Sequence, residues 1–270
     1  VNGGLVIGLM GVKGGSGSTF LATNLAYALG LQNKRVAVLD LKFSFGDAAI
    51  YLGNTGAKTN VVELAQQYLR VDEAMLEASM AKVSERVHVL VAPATPELVA
   101  EVTPVAIEKI IEVARRHYDF VLLDVSSALD AVAIKAISLA NLLYMIVQLD
   151  IPNVRAAKSM GQYLRAHGCA PEKMQIVVNN YQRGAHFGLA DVEKSTLARV
   201  ARTIPSSPEA VSESVNQGIP LVEITPRDPV ARALKEWAEN LAPLDGNGRK
   251  NGHTNGSGNG NGNGNGNGNG

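Results

Sequence analysis

Six short, almost unbroken apolar runs constrain the fold of this chain more than any other feature. They are "LVIGLM" (5–10), "RVAVLD" (35–40), "VHVLVA" (87–92), "FVLLDV" (120–125), "LLYMIVQ" (142–148) and "MQIVVNN" (174–180). A strand with one wet face alternates apolar and polar residues. A run that is apolar at nearly every position is buried on both faces, as in a parallel sheet covered by helices. Helical segments lie between the runs. "FLATNLAYALGLQ" places Phe20, Leu21, Leu25, Ala28 and Leu29 at three-to-four spacing. "TPVAIEKIIEVARRH" opens with Thr103 as a cap and Pro104 at the first helical position. "SSPEAVSESVNQG" repeats that grammar with Ser207 and Pro208 and closes on Gly218. The alternation predicts an α/β fold: a mostly parallel twisted sheet with right-handed crossovers and helices on both faces.

The pattern stops before the end. From Asp245 the chain reads "DGNGRKNGHTNGSGNGNGNGNGNGNG", with no large apolar residue to offset the entropy of ordering it. The expected organisation is one folded domain over 1–244 and a disordered Asn/Gly-rich tail over 245–270. Acidic and basic residues balance at 25 each, which weighs against a non-specific nucleic-acid binder. A single cysteine, Cys169, excludes an internal disulfide and fits a reducing cytoplasm. The five histidines have no zinc-type spacing. No apolar run is long enough to cross a bilayer. The opening "VNGGLVIGLMG" lacks the basic start and cleavage site of a signal peptide and reads as a strand. It also lacks an initiator Met, so the chain is expected to be part of a longer protein.

The chemistry concentrates after the first run, in "GVKGGSGSTF" (11–20). A glycine-rich loop that leaves a strand and opens a helix lets backbone N–H groups converge on a phosphate, helped by the helix N-terminus. A plain glycine turn is the alternative. The strict pattern G-x-x-x-x-G-K-[ST] fails twice: Val12 replaces its first glycine and Ser18 its lysine. What remains, Lys13-Gly14-Gly15-Ser16-Gly17-Ser18-Thr19, resembles the deviant Walker A loop of the ParA/MinD superfamily of P-loop ATPases. "FVLLDV", ending in Asp124, resembles that family's Walker B strand, and "VAVLDLKFSFGDAAIYLG" its second-strand and switch segment. "LVAPATPE", "QLDIPNVRAAKSM", "VVNNYQRG" and "SESVNQGIPLVEITPRDPVARAL" narrow the likeness to the ATPase domain of CpaE, or TadZ, proteins, over about residues 4 to 240. A typical CpaE also has an N-terminal receiver-like domain, here either cut away or never present.

The resemblance implies ATP and Mg²⁺ as cofactors. Gly14, Gly15, Ser16, Gly17, Ser18, Thr19 and Phe20 would cradle the nucleotide, with Asn179 and Pro205 near the base. Thr19 and Asp124 would hold the metal. Lys13 would reach across a nucleotide-promoted homodimer to the partner's nucleotide. Asp40 matches a catalytic-region aspartate, but the family's second aspartate, two residues on, is replaced by Lys42. Ser126 stands where a proline is frequent. For Asp40 and Asp124 the plain alternative is a strand-end carboxylate capping a loop; for Lys42 and Asn179 it is an ordinary loop or turn residue. Losing the loop lysine removes a charge-assisted contact of roughly 1.5–3 kcal/mol. Without a carboxylate at position 42, nothing obvious orients an attacking water. Lys42 itself could approach the phosphates and replace part of the missing charge.

The resulting expectation is a cytoplasmic ATP-binding scaffold, recruited to a cell pole or the inner face of the membrane. It would serve Flp (Tad) pilus or secretion assembly proteins and hydrolyse ATP slowly or not at all. An active ParA/MinD-like positioning ATPase and a nucleotide-free adaptor stay open. No nucleic-acid partner is expected. No basic anchor helix like that of MinD is seen, since "PVARALKEWAENLAPL" reads as a helix packed on the sheet.

Overall fold

The computed structural model describes residues 3–43, 46–53, 56–57, 59–93, 102–182, 184 and 188–242. The tail expected over 245–270 and the second half of "LVAPATPE" lie outside them. In chain order the elements are β1 (Leu5–Gly11), α1 (Ser18–Leu31), β2 (Val36–Leu41), α2 (Ala48–Tyr51), α3 (Val61–Gln66), α4 (Glu73–Ser79), β3 (Ala81–Lys82), β4 (Val87–Leu90) and α5 (Pro104–His117). Then follow β5 (Phe120–Val125), α6 (Ala131–Leu139), β6 (Leu142–Val147), α7 (Ile151–Ala166), β7 (Met174–Tyr181), α8 (Leu189–Thr196), β8 (Arg199–Pro205), α9 (Pro208–Gln217), α10 (Leu221–Ile224) and α11 (Pro229–Leu241).

The strands form one sheet in the order β3-β4-β2-β5-β1-β6-β7-β8. Every pairing is parallel except β3 with β4. Along β1, Ile7 and Leu9 face the layer of α1, α2, α10 and α11, whereas Val6 and Met10 face α3 to α8. This is the period of two that a strand imposes, here with apolar residues on both sides. All six apolar runs are strands, flanked by helices on both faces as the alternation required.

Local chemistry fixes the helix ends. Thr103 Oγ1 accepts the Ala106 N–H at 3.2 Å and caps α5. Gly218 closes α9 at φ 64°. The cap expected of Ser207 takes a different form. Its hydroxyl donates to Asp228 Oδ2 at 2.6 Å and leaves the α9 N-terminus uncapped by a side chain. Asp228 turns its other oxygen to the Val230 N–H at 2.7 Å and caps α11. One carboxylate thus ties the starts of two helices together. On α11, Trp237 is fully buried and meets Tyr144 of β6 edge-on at 4.9 Å, so this amphipathic helix packs on the sheet. Among the described residues no helix is long and apolar enough to cross a membrane.

This order puts β2, β5 and β1 side by side at the centre. Their carboxyl ends share one edge, where ligands bind in open α/β sheets.

Candidate functional site

The β1–α1 loop is built around two left-handed glycines, Gly15 at φ 79° and Gly17 at φ 91°. Residues with a Cβ rarely adopt that region. At Gly17 a Cβ would also lie 2.4 Å from Asn179 Nδ2. The loop is braced from inside and outside. Ser16 Oγ donates to the Lys13 carbonyl at 2.6 Å and accepts the Lys13 N–H at 3.2 Å. Asn179 Nδ2 donates to the Ser16 carbonyl at 2.9 Å, and Gln148 Nε2 to the Gly15 carbonyl at 3.2 Å. Among the described residues no protein acceptor takes the N–H of Gly14, Gly15, Gly17, Ser18 or Thr19. Free N–H groups on a rigid glycine loop before a helix form an anion cradle. They border a cavity of about 370 Å³, also lined by Lys13, Phe20, Lys42 and Ser126. A second cavity of about 340 Å³ adjoins it at Gly15, Gly17 and Phe20 and continues to Asn179 and Pro205. Depressions of similar size beside α4–α5 and beside β8 lack any glycine-rich backbone.

Lys42 stands one residue beyond β2, and it enters this cavity. Its Nζ lies 2.9 Å from Asp124 Oδ1 and donates to Thr19 Oγ1 at 2.6 Å and Ser18 Oγ at 2.8 Å. Thr19 in turn donates to Asp124 Oδ2 at 2.6 Å. The ammonium therefore sits among the oxygens that the resemblance would give to a metal, and it touches the side chain that replaces the loop lysine. The register explains its reach. Asp40 of β2 pairs with Asp124 of β5, so the residues just past both strands flank the loop of β1. Asp124 is fully buried, and an unpaired buried carboxylate is strongly unfavourable. Burial raises its pKa, and the Lys42 charge, with the Lys42, Thr19 and Ser18 side chains, opposes the rise.

Asp40 is also fully buried but does not line the cavity. Its Oδ1 accepts the Lys42 N–H at 3.0 Å and its Oδ2 the Ala48 N–H at 3.1 Å. Burial, then the nearby charge of Asp124, holds its pKa well above the usual carboxylate range. Asp40 thus shapes the turn that aims Lys42 and faces no phosphate-sized space. Gly46 permits this closeness, because a Cβ there would lie 2.5 Å from Asp40 Oδ2. Lys13 is exposed at the mouth of the loop and also borders a depression formed by Ile151, Pro152 and Arg155 of α7.

The structure therefore gathers Lys13, Gly14 to Phe20 and Lys42 around one cavity and Asn179 and Pro205 around its neighbour. Sequence reasoning missed Gln148, Asp47, Tyr51 and Asn153. Asp47 and Tyr51 line the loop cavity. Asn153 is bound to Asp150, the cap of α7, and lies 3.5 Å from Ser16 Oγ. "QLDIPN" carried a usable signal, an Asp followed by Ile-Pro at a helix start, which places these polar groups at the end of β6.

The glycine cradle fits a phosphate chain. The donor set does not fit a divalent ion alongside Lys42. Thr19 Oγ1 and Asp124 already face the ammonium. A divalent ion 4 Å from the ammonium would meet about 8 kcal/mol of repulsion at an effective dielectric near 20.

An AAA-domain family model, AAA_31, matches residues 4–166. An uncharacterised ATP-binding protein of Methanocaldococcus jannaschii is 24% identical over 238 residues, 88% of this chain and 87% of that one. Among solved structures, a ParA family ATPase from Chlorobium tepidum superposes with a TM-score of 0.84 at 21% identity, covering 89% of this chain and 100% of that one. The septum site-determining protein MinD of Pyrococcus horikoshii, complexed with Mg-ADP, gives 0.77 at 22% identity over 89% and 96% of the two chains.

Proposed function

Because the chain belongs to the AAA_31 family of AAA-domain proteins, among ParA/MinD-type P-loop ATPases, we propose that it is an ATP-binding, dimerising scaffold of the CpaE/TadZ type. In this reading it localises or helps assemble a Flp (Tad) pilus or secretion machinery and hydrolyses ATP slowly or not at all. The free N–H groups of Gly14, Gly15, Gly17, Ser18 and Thr19 hold the phosphates, with Ser16 keeping the loop in shape. Phe20, Pro205 and Asn179 flank the space for the base. Asn179 also braces the loop, so it couples base side and phosphate side. Lys13, exposed beside α7, is free to reach a second copy.

The observation that carries the reading is Lys42. It occupies the place where a water-orienting carboxylate is expected; both oxygens of Asp40 are held by backbone N–H groups, and Asp47 is the one described carboxylate among the residues lining the loop cavity. Phosphoryl transfer to water relies on positioning, and this arrangement keeps the cradle while putting a cation where the family pattern has its second aspartate. A non-hydrolysable ATP analogue should raise the melting temperature, since a ligand of the native state at a hundred times its Kd adds about 2.7 kcal/mol. No shift at millimolar analogue, with no heat of binding, would favour the nucleotide-free adaptor. A cycling positioning ATPase, suggested by the names of the relatives, would be favoured by rapid steady-state phosphate release that Asp124→Ala abolishes.

A further inference from the structure

We propose that the Lys42 ammonium is a built-in cation that takes the place of Mg²⁺, so that this loop holds a nucleotide's phosphate chain without any divalent metal. The inference rests on the nucleotide reading above and goes further, because it changes which cofactor the site needs. Three facts carry it. First, the ammonium lies 2.6–2.9 Å from Thr19 Oγ1, Ser18 Oγ and Asp124 Oδ1, a cage of oxygens around one positive charge. Second, Asp124 Oδ1 is buried and receives no aligned hydrogen bond among the described residues, so the charge of Lys42 compensates it. Third, the Lys42 side chain is 23% exposed and lines the cavity, so the same ammonium faces both the buried carboxylate and the space for phosphates.

A metal in that cage would have to expel Lys42. Mg²⁺ demands near-octahedral coordination at about 2.1 Å and sheds its waters reluctantly. The site offers it two side-chain groups already paired with each other, Thr19 of the loop and Asp124 of β5. A tethered ammonium needs no such geometry and pays no loss of translational freedom on arrival. Lys42 also touches Ser18, the residue in the place of the loop lysine. One side chain thus stands in the place of two cations missing or displaced from the ordinary site: the lysine at position 18 and the metal.

The test is ATP binding to the wild-type chain by calorimetry, once with excess EDTA and once with Mg²⁺. The affinities should agree within about threefold, far less than the tenfold that 1.4 kcal/mol would give. Binding more than about tenfold tighter with Mg²⁺ overturns this inference and leaves the nucleotide reading standing. No binding in either buffer overturns both. A second variant guards against misfolding. Lys42→Met alone strands a buried carboxylate, whereas Lys42→Met with Asp124→Asn removes both charges together. That folded double variant should bind ATP in EDTA at least about tenfold more weakly than wild type. Unchanged metal-free affinity would overturn the role given to Lys42. A third readout needs no ATP hydrolysis. Wild type saturated with ADP should give no protein-bound Mn²⁺ signal by electron paramagnetic resonance. A bound signal lost in Thr19→Ala would show the cage holding metal and overturn the inference.

Discussion

Gly17 holds φ at 91° with Asn179 Nδ2 where its Cβ would be, so it tests how tightly the loop is specified. Gly17→Ala meets both a left-handed backbone and a clash, and it should destabilise the chain by about 1–3 kcal/mol. Urea unfolding measures that loss, and calorimetry should show ATP binding abolished with it. Asn179→Ala should act more mildly. Removing the amide that braces the Ser16 carbonyl should cost about 1–3 kcal/mol of stability or loop order, and an unchanged unfolding midpoint would refute the bracing role. At this scale the sequence was partly legible. The glycines between a strand and a helix pointed to a cradle, and Ser18 and Thr19 joined it through the resemblance to a deviant Walker A loop. Lys42 was legible as a substitution in the family pattern that could approach the phosphates, but its pairing with Asp124 was not. A long flexible side chain has many rotamers, and only the pairing of β2 with β5 brings it to Asp124. Asp40 takes the plain alternative, a strand-end carboxylate capping a loop, since two backbone N–H groups claim its oxygens.

Among the elements, α11 is the last helix and covers one face of the sheet. Trp237→Ala removes a fully buried ring packed edge-on against Tyr144 and should cost about 3–5 kcal/mol, read from the denaturant midpoint. The strand β4 carries a titration as well. His88 is buried, with Tyr118 Oη 3.2 Å from its Nδ1, and burial depresses its pKa, with Glu77 opposing and Lys82, Arg35 and His117 adding to the effect. The unfolded chain then binds a proton below pH about 6.5 that the folded chain refuses, so stability falls as pH drops through that value. His88→Phe should flatten the dependence of the unfolding free energy between about pH 7 and 5, and an unaltered slope would contradict it. Six strands and four helices were legible because apolar runs and Pro or Gly boundaries marked them. β8 was not. It reads "RVARTIP", an edge strand with only Ile204 fully buried, so it lacks the apolar run of a central strand. β3 is two residues long and antiparallel, too short to leave a period. Ser207 shows the limit of cap grammar, since a carboxylate 21 residues later outcompetes the local N–H groups.

For the whole molecule, the proposed reading makes the central sheet edge, the glycine loop and Lys42 a nucleotide site with a lysine where the family pattern has its second aspartate. If Lys13 completes a facing copy's site, ATP should drive a monomer–dimer equilibrium that Lys13→Ala weakens more than it weakens ATP binding; equal sedimentation of both proteins in every condition would refute the trans role. Neither partner nor symmetry is legible in one chain, because an exposed lysine beside Ile151 and Arg155 reads equally as a solvated surface until a second copy meets it. The central claim is holding without turnover, and one single-turnover measurement addresses it. Labelled ATP is mixed with excess protein, the protein-bound nucleotide is trapped on a filter, and its identity is followed with time. The account predicts that label is retained and stays ATP over hours. Bound label converting to ADP within seconds, near the ordinary enzymatic rates of about 1 s⁻¹ and above, would contradict it, as would no retained label at all.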